Sequence, residues 1–259
     1  MIIDVHLGMR HPATDERVKE TLGQMDSANI DKAVTWSLPI GTDREVFQKN
    51  NDRISSVVEK YPNRFIGFAV VNPLDPDFAL DELGRAIEQL GLSGLKLHPK
   101  VHQYRICDPR TLKVVELARD LNIPVVIHVE SIALYNFCVN NSREKTQQII
   151  DHNEFFAKSL DLDAVIKVYD SENFWAAHMG GITHPSIQKS NLAFQTTGAS
   201  SEIIEYAVSK VGADRILFGS DYPSYQVKEE IAKLNNANIS ESDKRKILSD
   251  NAARILKIK

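Results

Sequence analysis

The chain has 259 residues, 42% of them hydrophobic and 25% charged, which is enough apolar material for a large core and excludes wholesale disorder. A net charge of −4 gives no bulk field that would draw in nucleic acid or an anionic membrane surface. Cys107 and Cys138 are the two cysteines, far apart and in no metal-type pair, and Asp4 and His6 break the first apolar run too early for a signal peptide. The two widely separated cysteines make a reducing, cytoplasmic setting the expected one, and no apolar segment approaches the length of a membrane span.

Strand-like apolar runs alternate with amphipathic stretches from end to end. Ile2–Val5 reads as a first strand, followed by helical spacing over Asp15–Ala28 through Val18, Leu22 and Met25. Asp31–Leu38 is a second strand, closed by Pro39. A helix over Asp43–Tyr61 then runs into Pro62. Phe65–Val71 is a third strand, Asp77–Leu90 a helix stopped at Gly91, and Gly94–His98 a fourth strand. Pro109–Leu121 is helical. Pro124–Val129, Phe174–His178, Leu192–Thr196 and Arg215–Phe218 supply strands five to eight. Ile203–Val211 is the helix between the last two strands, and the tail Ser242–Lys257 is helical.

Eight β-then-α units in a single domain of this length predict a closed, if distorted, parallel (β/α)8 barrel over residues 1–259. The continuously apolar strands agree, because parallel strands are buried on both faces. The alternative is an open doubly wound sheet, but no GxGxxG follows the first strand and no GxxxxGK[ST] occurs. The connection between strands five and six is longer than a crossover helix needs. Its excess, Ser131–Lys158, is expected to be a helical insertion at the catalytic end of the barrel, where lids are built.

The polar residues fall at C-terminal strand ends: His6, Lys96 and His98, His128 and Glu130, His178, and Asp221 within LFGSDYP. In a barrel that edge is the catalytic face. Imidazoles converging on a carboxylate suit a divalent cation such as zinc, with iron, manganese and nickel also compatible, and an open position for water. Asp221 would bind the cation and accept a proton. Lys96 is either an anchor for a substrate carboxylate or a buried partner of Glu130, and Glu130 is also placed to support a ligand histidine. His11, His102, His152 and His184 lie in loops or the insertion and are expected to be exposed. Gly198–Ser201 could hold a phosphate, with a serine N-cap the favoured reading.

IIDVH, GLKLHP, IPVVIHVE, AAHMGG, RILFGSDYP and DNAARIL together resemble the amidohydrolase-2 branch of the amidohydrolase superfamily, metal-dependent TIM-barrel enzymes, over nearly the whole chain. That branch includes hydrolases, lactonases and non-oxidative decarboxylases of small carboxylic acids, and its members typically hold one divalent metal, often zinc. The resemblance implies that His6 matches the first histidine of a strand-one HxH and that His128 matches the strand-five ligand. By the same matching, His178 polarises substrate, acts as acid/base or binds metal, and Asp221 is ligand and proton acceptor. One position departs: Gly8 stands where the second strand-one histidine belongs. A two-residue deletion would instead make His6 the second histidine, and either way one ligand is missing. His11 or His98 is the candidate replacement. The expected function is hydrolysis of an amide, ester or lactone by metal-activated water, with Lys96, His98, Arg10 and Glu130 around a small-molecule substrate. The alternatives are a metal-dependent decarboxylase, in which Lys96 or Arg10 anchors the acid, and a metal-free binding barrel. A homo-oligomer is compatible with the sequence, and nothing in it demands one.

Overall fold

The computed structural model describes residues 1–129 and 161–258. The expected insertion Ser131–Lys158, together with Glu130, Cys138 and His152, lies outside the described residues. Eight strands run parallel in sequence order: β1 (Ile3–Asp4), β2 (Lys32–Thr35), β3 (Phe65–Val70), β4 (Gly94–Leu97), β5 (Val125–Ile127), β6 (Phe174–Ala176), β7 (Ala193–Gln195) and β8 (Ile216–Leu217). The seam between first and last strand is closed by backbone hydrogen bonds. Val5 N donates to Phe218 O at 2.8 Å, and Asp221 N donates to His6 O at 2.8 Å. The sequence reading of a (β/α)8 barrel therefore describes the molecule.

Two apolar clusters define the layers. The outer one lies between strands and helices. The inner one fills the barrel with residues such as Val34, Phe68, Val70, Val126, Trp175 and Leu217. Phe68 is paired in register with Gly94, and a Cβ on Gly94 would lie 2.5 Å from the Phe68 ring, so the ring occupies the space a side chain on β4 would take. Phe68 in turn packs 5.6 Å from Trp175 and 6.5 Å from Trp36, centroid to centroid. These three aromatics fill the barrel interior, making it a packed core beneath the C-terminal pocket. Burying side chains of this size contributes on the order of 2–3 kcal/mol each.

Most expected strands are too long by one to three residues, and the error has a functional meaning. The sixth strand ends at Ala176 rather than His178, which sits in a 3-10 turn over Ala177–Met179, and the eighth ends at Leu217. His6, His98, His128, His178 and Asp221 thus lie just beyond the strands, whereas Lys96 lies within β4. The reading also passes over helices at Pro99–His102, Leu162–Ile166, Pro185–Lys189 and Val227–Asn236. Val227, Ile231 and Leu234 of the last carry legible helical spacing. The C-terminal helix is interrupted by a π-turn at Lys246–Asp250, between α-helical segments Glu241–Arg245 and Asn251–Ile255. No helix among the described residues is long and apolar enough to cross a membrane.

Candidate metal centre and pocket

His6, His178 and Asp221 come from opposite ends of the sequence, yet one ligand atom from each lies within 4.8 Å of the other two. His6 Nε2 is 3.4 Å from Asp221 Oδ1. His6 is 3% exposed and Asp221 22%, so the carboxylate is the member of the group in touch with solvent. Close approach at this point depends on Gly219, where a Cβ would lie 2.7 Å from the His6 Cβ. Both His178 (φ 57°) and Asp221 (φ 57°) adopt left-handed backbone, which costs on the order of 1–3 kcal/mol for a non-glycine residue. Each is pinned from outside. Thr197 Oγ1 accepts from His178 N at 2.8 Å, and Asp221 O accepts from Ser224 N at 2.7 Å.

His128 stands beside this group. Its Nδ1 is 3.1 Å from His178 Nε2, and its ring stacks on His98 at 4.0 Å with planes 13° apart. His98 caps the short helix Pro99–His102 by accepting from Val101 N at 3.4 Å. Lys96 is buried, with Nζ 3.4 Å from His6 Nε2 and 4.6 Å above the Trp36 ring. Lys96 thus contacts His6 and Trp36, and its expected alternative partner Glu130 lies outside the described residues.

Burial dominates the electrostatics. It pushes His6 and His128 below their ordinary values, and it takes His98 to about 2 and His178 to about 3; neighbouring charges add to the effect at His98 and His128, whereas Asp221 opposes it at His6 and His178. Burial also lowers the Lys96 ammonium to about 7 against the opposing charge of Asp221. Burial alone would raise Asp221. Its contact with His6 Nε2 and the positive surroundings supplied by the neighbouring His178 and Lys96 outweigh it and hold the carboxyl at about 2. Neutral imidazoles and an ionised carboxylate are the forms in which these groups bind a cation. The donor set therefore fits a divalent metal of the kind served by mixed nitrogen and oxygen ligands.

A cavity of about 250 Å³ opens over the group, lined among others by Gly8, Arg10, His11, Trp36, Lys96 and Tyr222. Arg10 is exposed at its mouth. At Gly8, where the second strand-one histidine was expected, a Cβ would lie 3.3 Å from Trp36 Nε1, so the indole crowds that side of the pocket. Neither proposed replacement joins the three donors. His11 Nδ1 faces Ser37 Oγ and Asn50 Oδ1, both at 3.2 Å, and His98 is occupied with its helix cap and His128. His102, expected to be exposed, is buried with Nε2 3.0 Å from Pro39 O. The phosphate reading of Gly198–Ser201 gives way to an internal carboxylate, since Gly198 N donates to Glu230 Oε2 at 3.1 Å. Ser200 holds the N-cap position there without a capping side-chain hydrogen bond.

Three residues at the site escaped the sequence reading. Trp36 and Thr197 carry no motif. Gln195 is a polar residue at the C-terminal end of β7, with Oε1 2.6 Å from His6 Nδ1, and that position was its one legible signal.

The sequence profile of a family described as Amidohydrolase matches residues 8–258. A gamma-resorcylate decarboxylase of Polaromonas sp. strain JS666 is 24% identical over 250 residues, covering 83% of this chain and 77% of the relative. Among solved structures, 2,6-dihydroxybenzoate decarboxylase from Rhizobium superposes with a TM-score of 0.76 at 19% identity, covering 99% of this chain and 98% of the other. A dihydroxybenzoic acid decarboxylase from Polaromonas sp. JS666, with bound manganese and the inhibitor 2-nitroresorcinol, gives 0.73 at 19% identity, with 99% and 97% covered. The structural likeness establishes the barrel. The named relatives correct the functional expectation: they are decarboxylases, which contradicts the reading of a hydrolase that cleaves an amide, ester or lactone. The manganese in one of them leaves the expectation of zinc without specific support.

Proposed function

The chain belongs to the amidohydrolase family, and from that membership we propose that it is a metal-dependent, non-oxidative decarboxylase of a small carboxylic acid. The observation that carries this reading is the likeness to decarboxylases over most of the chain, and the convergence of His6, His178 and Asp221 beneath a pocket that also holds Lys96 supports it. One divalent ion, manganese or a similar metal, would be held by these three residues, and when bound it would supply Lewis-acid stabilisation of the negative charge that develops as the carboxyl group leaves.

The residues of the chain divide the remaining work. Lys96 Nζ, desolvated beside Trp36, pairs with the substrate carboxylate, where a charge-assisted contact is strong because water is excluded. Arg10 at the mouth provides a second positive charge for steering the acid inward. His98 backs His128 by stacking, and His128 Nδ1, next to His178, offers a further polar contact to the bound acid. In the chemical step the bond to the carboxyl carbon breaks, carbon dioxide departs, and the carbon left behind keeps the electron pair and takes a proton. Asp221, the partly solvent-reached member of the group, relays that proton. A cavity of about 250 Å³ has room for one small molecule.

The test is a paired screen of protein reconstituted with Mn²⁺. Hydroxybenzoic acids are assayed by carbon dioxide release, and small esters and lactones by pH-stat. Carbon dioxide formed in step with acid consumed supports the proposal. Lactone or ester turnover with no carbon dioxide from any acid overturns it.

A further inference from the structure

We propose that Gln195 is the positioning residue of the cation site, fixing the His6 ring with its hydrogen on Nδ1 so that the Nε2 lone pair faces the metal. Nothing in the motifs or the named relatives assigns this residue a role. The inference rests on the reading that His6 is a cation donor.

The reasoning starts with parity. Ala193 on β7 faces the apolar barrel interior, so Gln195, two residues on, projects to the same side. A fully buried primary amide must satisfy both its ends or cost the fold about 1–3 kcal/mol. Its two ends are satisfied by different partners. Nε2 lies 3.2 Å from Val5 O, which can only accept, so the nitrogen of the amide must point there. Oε1 is then left 2.6 Å from His6 Nδ1, and an amide oxygen can only accept. Nδ1 must therefore carry the hydrogen whatever the charge of the ring. In the neutral imidazole the single lone pair is on Nε2, the nitrogen that lies 3.4 Å from Asp221 Oδ1 and 3.4 Å from Lys96 Nζ.

The contact is also unusual in topology. β7 and β1 are not neighbours, because β8 lies between them. The two side chains meet across β8 at the level of Gly219, whose missing Cβ would strike the His6 Cβ at 2.7 Å and Thr197 Cγ2 at 2.8 Å. The Trp36 ring, edge-on to His6 at 4.7 Å, restricts ring rotation from the other side. A strand-seven residue thus sets the ligand atom of a strand-one histidine.

Two measurements test this on the full chain. First, Mn²⁺ titration monitored by the electron paramagnetic resonance of the free ion compares wild type, Gln195→Leu and Gln195→Glu. Gln195→Leu removes the acceptor and is expected to weaken Mn²⁺ binding by about 10–100-fold, the usual effect of losing the group that orients a ligand histidine. Gln195→Glu retains an acceptor for Nδ1–H but loses the donor to Val5 O, and is expected to bind Mn²⁺ more tightly than Gln195→Leu. Second, long-range ¹H–¹⁵N spectra of histidine-labelled, metal-free protein should show His6 as the Nδ1–H tautomer in wild type and a changed or mixed tautomer in Gln195→Leu. Equal Mn²⁺ affinity in wild type and Gln195→Leu, or an Nε2–H tautomer in wild type, overturns the assignment. Should Gln195→Leu fail to fold, the wild-type spectrum still decides. Absence of Mn²⁺ binding by wild type would sink the cation reading instead, while the tautomer spectrum would continue to report on Gln195.

Discussion

Replacing Lys96 with methionine should make the metal-free protein more stable while abolishing turnover. The ammonium is 1% exposed, and burial takes it from an ordinary value of 10.5 to about 7. At about 1.4 kcal/mol per power of ten, holding that charge in the fold costs up to about 5 kcal/mol below neutral pH. Methionine removes the charge and keeps most of the volume. It also loses the contact between Nζ and the Trp36 ring, which offsets up to about 2 kcal/mol when desolvated. The balance is a gain of about 2–3 kcal/mol, or about 4–12 °C in melting temperature for a chain of this size. The pH dependence has a definite sign. The unfolded lysine binds its proton more tightly than the folded one, so the penalty is complete below about 7 and disappears as pH rises through 10.5. The stability difference between variant and wild type should therefore be largest near neutrality and vanish towards pH 10.5. Calorimetric melts of both metal-free proteins across that range supply the data. A variant less stable than wild type at pH 7, or a difference that does not shrink with rising pH, would refute the reasoning.

Asp221→Asn should lower turnover on the order of 10²–10⁴-fold and reduce bound metal, read by steady-state rates and elemental analysis; an unchanged rate contradicts its role. Gly8→His should not tighten Mn²⁺ binding, since its Cβ would sit 3.3 Å from Trp36 Nε1, and should cost about 1–3 kcal/mol in denaturant melts. Tighter binding there would show that the pocket has room for the histidine. Gly94→Ala should destabilise by a similar amount because its Cβ would lie 2.5 Å from the Phe68 ring, and Phe68→Leu should suppress part of that loss in a double-mutant cycle. Additive losses would mean that the two residues do not compete for space.

The barrel was legible because its signal is repeated eight times. Short apolar runs followed by amphipathic stretches survive errors of a few residues at any one boundary. Polar residues clustered at the ends of those runs placed His6, His178 and Asp221 together before any geometry was known. The turns beyond the strands were less readable. His178 and Asp221 sit in left-handed backbone that no periodicity announces, held by hydrogen bonds to Thr197 and across the seam to His6. Gln195 and Trp36 were missed for a related reason. Both look like ordinary interior residues of a strand or its continuation, and their importance comes from what barrel closure brings opposite them. The preference for hydrolysis over decarboxylation failed because the two reactions share metal ligands and differ in how the pocket holds the acid, which is a property of loops.

The metal site itself is tested most directly by anomalous diffraction at the manganese edge from crystals grown with Mn²⁺. The expected result is a single peak within bonding distance of His6 Nε2, His178 and the Asp221 carboxylate. A peak elsewhere, or none with these three side chains in place, would contradict the site on which the proposed decarboxylation depends.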